Sequence, residues 1–203
     1  MAPVRLAVLV PVKRFVAAKR RLAGVLSDAD RARLAQWIAT RVLDVVAEAP
    51  TFVACDDDRV AEWAQGCGAT VVWGAGLGLN GAVDDGVAHV AAAGFDHVIV
   101  SHADLARPAA LLSVARADTV TLVPDRRRDG TNVMSFPVAH RVSASYGGGS
   151  FARHLHQALA LGVDTEVRCD ADLSLDLDTA ADLAHPLIRE VLPPWLPTSQ
   201  ANR

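Results

Sequence analysis

The sequence predicts an α/β fold, a mainly parallel sheet with helices on both faces. Two observations carry that prediction. Short runs rich in valine, leucine and isoleucine recur at 5–10, 51–55, 70–73, 97–102, 119–123 and 132–136, with two more at 165–169 and 173–177. Stretches of helical period lie between them. Short strands of this composition are what a parallel sheet covered on both faces requires, and the intervening helices supply its crossovers.

A chain of 203 residues, 51% of them apolar, suffices for one well-buried core. One domain is therefore expected over 1–192. The ending "PPWLPTSQANR", 193–203, joins three prolines to a polar end and is expected to fray. The stretch 124–150 reads as a loop-rich insertion in the same domain.

The first strand lies in "VRLAVLVPV", too short to cross a bilayer and without the basic flank and cleavage site of a leader. No other run approaches ~18 apolar residues, so a cytoplasmic protein without a membrane partner is expected. A formal net charge of -3 gives no basic field for nucleic acid, and anion binding must come from local clusters. One follows at once. "VKRFVAAKRRL" carries Lys13, Arg14, Lys19, Arg20 and Arg21 behind the carboxyl end of the first strand, where such sheets bind ligands. These cations suit a polyphosphate; the plain alternative is a solvated helix face.

The clearest helix begins at Ser27, whose hydroxyl is placed to cap free backbone N–H groups, with Asp30 as its partner. Leu34, Ile38, Val42 and Val45 then give it one apolar face. Further on, "GLGLNG", 76–81, follows the strand "TVVW" and matches GxGxxG. A dinucleotide fingerprint, however, follows the first strand and is completed by an acid at the end of the next, whereas Asp96 comes before its strand. The turn still lets a base or ribose approach the backbone, and Asn80, beside Gly81, has both donor and acceptor for a base edge.

"VIVSHADLARP" sets Asp104 at a strand's carboxyl end, as a functional side chain or a helix cap, with His102 read as a hydrogen-bonded histidine. "DRRRDGTN" precedes "YGGGSFARHL", whose glycines before a helix can wrap an oxyanion in backbone N–H groups. His154 and His156 stand two apart and share no helix face, which tells against a paired-histidine metal site. In "LSLDLDTAADL", read as a strand, Leu173, Leu175 and Leu177 face one way and Asp176 and Asp178 the other. Two carboxylates on one face repel unless a cation lies beside them. Asp104 would complete an all-oxygen site suited to magnesium; the plain alternative is an exposed acidic strand. Cys55, Cys67 and Cys169 are odd in number and never spaced as CxxC, so they read as small core hydrophobes.

In order and spacing, "VPVK", "AKRRLAGVLSDADRARLA", "GLGLNGAV", "ADL", "DGTN", "YGGGSFARH" and "LDLDTAADL" resemble the guanylyltransferases of deazaflavin coenzyme F420 biosynthesis, which use 2-phospho-L-lactate or phosphoenolpyruvate. The resemblance covers roughly residues 5–185. It implies a Rossmann-like nucleotidyltransferase sandwich. It also implies that Asp104, Asp176 and Asp178 bind Mg2+, that Lys13, Lys19, Arg21, Asn80 and Gly81 serve GTP, and that Thr131, Gly147 and Ser150 contact the phosphorylated acid. Lys13 and Lys19 would also act in catalysis by stabilising the leaving pyrophosphate. A phosphate monoester has its second pKa near ~6, so the nucleophile needs no general base. Implied partners are the two substrates, hand-over of product to the next pathway enzyme, and a homodimer. Two alternatives stand beside this: a related nucleotidyltransferase with another acceptor, such as 3-phosphoglycerate, a molybdopterin or a sugar phosphate, and a non-catalytic nucleotide-binding module.

Overall fold

The computed structural model describes residues 4–196. Its strands are β1 (Leu6–Pro11), β2 (Thr51–Cys55), β3 (Thr70–Trp73), β4 (His97–Ser101), β5 (Thr119–Pro124), β6 (Thr131–Pro137) and β7 (Asp164–Val167). They form one sheet in the order β3-β2-β1-β4-β6-β5-β7. β1 pairs in parallel with both β2 and β4, β2 with β3, and β5 with β7. Only β6 runs antiparallel to its neighbours, β4 and β5. Because β6 is reversed, its start lies at the same sheet edge as the carboxyl ends of the other strands.

The helices are α1 (Asp28–Val45), α2 (Asp58–Gly66), α3 (Gly78–Ala92), α4 (Ser150–Ala160), α5 (Ala180–Leu183) and α6 (Pro186–Arg189). Strand alternation divides the core between them. Val8, Val10, Val53 and Ile99 face Val42, Leu43 and Val60 of α1 and α2. Ala7, Leu9, Val98 and Val100 face Val83, Val87 and Val90 of α3 and Ala158 of α4. Each fully buried Val or Leu contributes roughly 1.5–3 kcal/mol. Helix α3 lies very close to β1: a Cβ on Gly86 would sit 2.7 Å from Leu9 side-chain carbons, so any larger residue would force the buried Leu9 side chain to move. Ser27 caps α1 as read, accepting from the Asp30 N–H at 3.1 Å.

Three expectations change. The strand expected at 132–136 forms as β6, wholly buried inside the sheet, so 124–150 carries part of the sheet itself and is not an insertion. A tight turn closes its hairpin with β5, as the Asp125 carboxylate accepts from the N–H groups of Asp129 and Gly130. The run 173–177 is no strand of the sheet; it makes a single bridge, Asp176 to Leu105. Its alternation survives because Leu173, Leu175 and Leu177 are all buried. Finally, Leu196 is buried and Trp195 lies under the Arg33 guanidinium at 4.0 Å, so packing extends into the expected tail. The rest of that tail lies outside the described residues. Of the cysteines, Cys55 is buried, but Cys67 and Cys169 are exposed. Among the described residues, no helix is long and apolar enough to cross a membrane.

Two buried histidines tie β6 to its surroundings. His97 hydrogen-bonds the Ser135 hydroxyl at 2.7 Å, and His154 the Thr131 hydroxyl at 2.9 Å. Burial pushes each ring from the ordinary 6.5 down to about 4. The unfolded chain thus takes up both protons at higher pH than the folded one. Their stabilising contribution is complete above pH 6.5 and is lost as pH falls toward 4. Urea titrations at pH 7 and pH 5 should differ by roughly 2 kcal/mol per histidine. His97→Asn should remove its share; an equal slope in that variant would contradict the assignment.

Candidate active site

β1 and β4 leave the sheet in opposite directions, β1 toward β2 and β4 toward β6, so the crevice between their carboxyl ends is the topological switch point. A cavity of about 280 Å³ opens there, lined among others by Lys13, Lys19, His102, Asp104 and Asp178. A second, of about 260 Å³, shares Lys13 with it and extends over β2 to Cys55, Gly74 and Gly78. Together they form one cleft.

After β1 the chain makes two 3-10 turns, Phe15–Ala17 and Arg20–Leu22. Phe15 packs edge-on against Trp63, and Leu22 is fully buried, which holds the segment down. Between the turns Lys19 adopts a left-handed conformation, φ 54 and ψ 35, unusual for a residue with a side chain. Its side chain is only 5% exposed. The ammonium donates to Asp104 Oδ2 at 2.7 Å and lies 3.8 Å from Asp178 Oδ1. Arg21 donates to the other Asp178 oxygen at 3.2 Å. Arg14, which lines the second cavity, pairs with Asp56 and Asp57, and Arg20 is exposed.

The acids meet through backbone pairing. Ala106 N–H donates to the Leu175 carbonyl and Leu177 N–H to the Asp104 carbonyl. Leu175 and Leu177 sink into a cluster with Leu22, Leu34, Ile38 and Ile188, which turns Asp176 and Asp178 outward. The sequence reading missed Asp182. It is buried, and one of its oxygens accepts from the N–H groups of Asp178 and Thr179, fixing the backbone of the acidic segment. The spacing Thr179-x-x-Asp182 is a capping box, a signal that could have revealed it.

Burial raises the Asp104 pKa, but Lys19 and His102 outweigh it and hold the carboxyl below the usual range. Asp176 is pushed up to about 6, first by burial and then by the charge of Asp104. Asp104 Oδ1 is buried without a hydrogen-bond partner. A negatively charged, partly unsatisfied oxygen set of this kind suits a hard cation. Among the described residues no three histidine, cysteine, aspartate or glutamate side chains form a ready-made metal cage. The Lys19 ammonium instead bridges Asp104 and Asp178.

A smaller hollow of about 120 Å³ lies beyond, walled by Arg21, Arg127, Asp129, Asp176 and Asp178 among others. Asp129 connects it to the glycine turn: its carboxylate accepts from Gly149 N–H at 3.0 Å. Gly149, the N-cap of α4, has φ 70, where glycine is favoured. This internal carboxylate thus already occupies one N–H group of the expected oxyanion turn. Thr131 and Ser150 are buried, Gly147 is exposed, and none of the three lines the cleft or the hollow. Nor do Asn80 and Gly81, although their neighbours Gly78 and Leu79 do. His102, read as hydrogen-bonded, has a buried Nε2 without a partner. Burial lowers its pKa, favouring the neutral ring.

Comparison with known proteins places the chain in a family. A family model described as "Guanylyl transferase CofC like" matches residues 6–190. The chain is 35% identical to a phosphoenolpyruvate guanylyltransferase of Rubrobacter xylanophilus over 87% of its own length and 90% of the relative's. It is 32% identical to a 2-phospho-L-lactate guanylyltransferase of Methanothermobacter thermautotrophicus, over 86% and 81%. In fold it is similar to the crystal structure of a protein described as a nucleotide-diphospho-sugar transferase from Desulfovibrio desulfuricans G20, with TM-score 0.75 and 16% identity, over 89% and 85% of the two chains. The sheet order, the cleft at its switch point and the sequence match over nearly the whole chain lead to one conclusion: this protein belongs to the CofC-like guanylyl transferase family.

Proposed function

We propose that the protein transfers the guanylyl group of GTP to the phosphate of a three-carbon acid, phosphoenolpyruvate or 2-phospho-L-lactate, in coenzyme F420 biosynthesis. An oxygen of the acceptor phosphate forms a bond to the α-phosphorus of GTP. The bond from that phosphorus to the bridging oxygen of the β-phosphate breaks, and pyrophosphate leaves with the electron pair. The observation that carries this reading is the buried Lys19 ammonium shared by Asp104 and Asp178 at the switch point.

The reaction brings two anions together, and the residues in the cleft answer that repulsion. Lys13 and Lys19 face the polyphosphate and offset the charge that gathers on the departing pyrophosphate. The cleft over Gly74 and Gly78 accepts the nucleoside. Arg21 and Arg127, on the wall of the adjoining hollow, attract the acidic acceptor. Asp104, Asp176 and Asp178 would hold a magnesium ion, whose charge would offset repulsion between the bound anions.

The test is pyrophosphate release from GTP with magnesium, run separately with phosphoenolpyruvate, 2-phospho-L-lactate and 3-phosphoglycerate. Release is expected with one of the first two. Release with 3-phosphoglycerate alone would contradict the acceptor, and release with none would favour a binding module.

A further inference from the structure

Asn80 was read from sequence as a base-edge reader, yet its amide is committed elsewhere. Its Oδ1 accepts from Tyr146 N–H at 2.7 Å, and its Nδ2 makes a longer, 3.5 Å contact to the Tyr146 carbonyl. One turn later on α3, Asp84 accepts from Ala144 N–H at 3.1 Å and pairs with Arg141 at 2.8 Å. Helix α3 therefore holds the approach to the glycine turn at several points along one face. Tyr146 is the residue before Gly147, and its ring lies 5.0 Å from both the His102 and His154 rings. On the other side, Leu79, next to Asn80, lines the cleft assigned above to the nucleotide.

We infer that Asn80 is a positioning residue, rather than a contact to the base, and that it couples the nucleotide cleft to the glycine turn, which Asp129 ties to the hollow assigned above to the acceptor. This inference rests on the proposed guanylyl transfer. The physical reason is rigidity: a shift of the first turn of α3 moves Tyr146 through a short, strong hydrogen bond, and Gly147 follows by covalent connection. If bound GTP firms the turn for the acceptor, reciprocity requires that the acceptor tighten GTP by the same factor. The 2.7 Å bond needs only an acceptor oxygen at position 80, so Asn80→Asp preserves it and Asn80→Ala does not.

The test measures the GTP dissociation constant without acceptor, both KM values and kcat for the wild type and the two variants. Asn80→Ala should raise acceptor KM about tenfold and leave GTP binding alone within about twofold, and Asn80→Asp should restore most of the acceptor KM. If both variants weaken GTP binding about tenfold while acceptor KM is unchanged, Asn80 reads the base and the inference is overturned. Hydrogen–deuterium exchange supplies an arm that needs no turnover. GTP added without acceptor should protect residues 142–150 in the wild type and in Asn80→Asp, but not in Asn80→Ala. Protection equal in all three, or absent from the wild type, would overturn the coupling. Absence of turnover with every acceptor, beside the expected exchange pattern, would strike the proposed function alone.

Discussion

Asp104→Asn is expected to lower kcat about a thousandfold, the scale seen when one preorganised charge contact to a developing anion is removed. The asparagine is nearly isosteric and can still accept from Lys19, so the backbone pairing of Leu177 with Asp104 should persist. Circular dichroism should therefore match the wild type while pyrophosphate release disappears. Asp176→Asn and Asp178→Asn should behave alike if, as proposed, all three carboxylates share one cation. For Asp176 the argument is sharpest. Burial and its neighbour already push its pKa up to about 6, so a neutral side chain would be the easier occupant if no cation were to be bound. Wild-type turnover in either of these variants would rule out a shared cation site.

Lys19→Met should lower stability by about 3 kcal/mol and turnover at least ~100-fold. The stability term comes from Asp104, which keeps its place in the fold but loses the charge 2.7 Å away that offsets its burial. The methionine fills the space of the lysine stem, so packing is not the cause. Saturating magnesium should recover part of the lost stability in Lys19→Met, since a cation would replace the missing ammonium. Chemical denaturation with and without magnesium measures this. No loss of stability in the variant would mean that the Lys19–Asp104 pair is not the anchor of the site.

The fold was legible because its central parallel strands β1, β2 and β4 are mostly apolar and its longest helix announces its cap at Ser27. What remained hidden was polar and non-local. The sequence predicts β6 as a strand, but not the partners of its buried Thr131, Asn132 and Ser135, which bond His154, the Leu173 carbonyl and His97. The acidic segment kept its alternation, since burial of Leu173, Leu175 and Leu177 sets it regardless of ladder partner. Backbone pairing sets Asp104 beside the acidic segment, 72 residues away in the case of Asp176, but Asp104 lines the cleft and Asp176 the adjoining hollow, with Asp178 on the wall of both. The ammonium between Asp104 and Asp178 could not be read, because Lys19 reaches inward only through a left-handed backbone that a basic run does not signal. Nor could the commitment of the Asn80 amide to Tyr146, 66 positions later.

The most direct test is a manganese titration of the purified protein, monitored by electron paramagnetic resonance, in the wild type and in Asp104→Asn, Asp176→Asn and Asp178→Asn. The charge centre described here predicts saturable binding in the presence of GTP that every one of the three substitutions weakens. Undiminished binding in all three would place any divalent ion elsewhere and leave the convergence of these acids without a role in the chemistry.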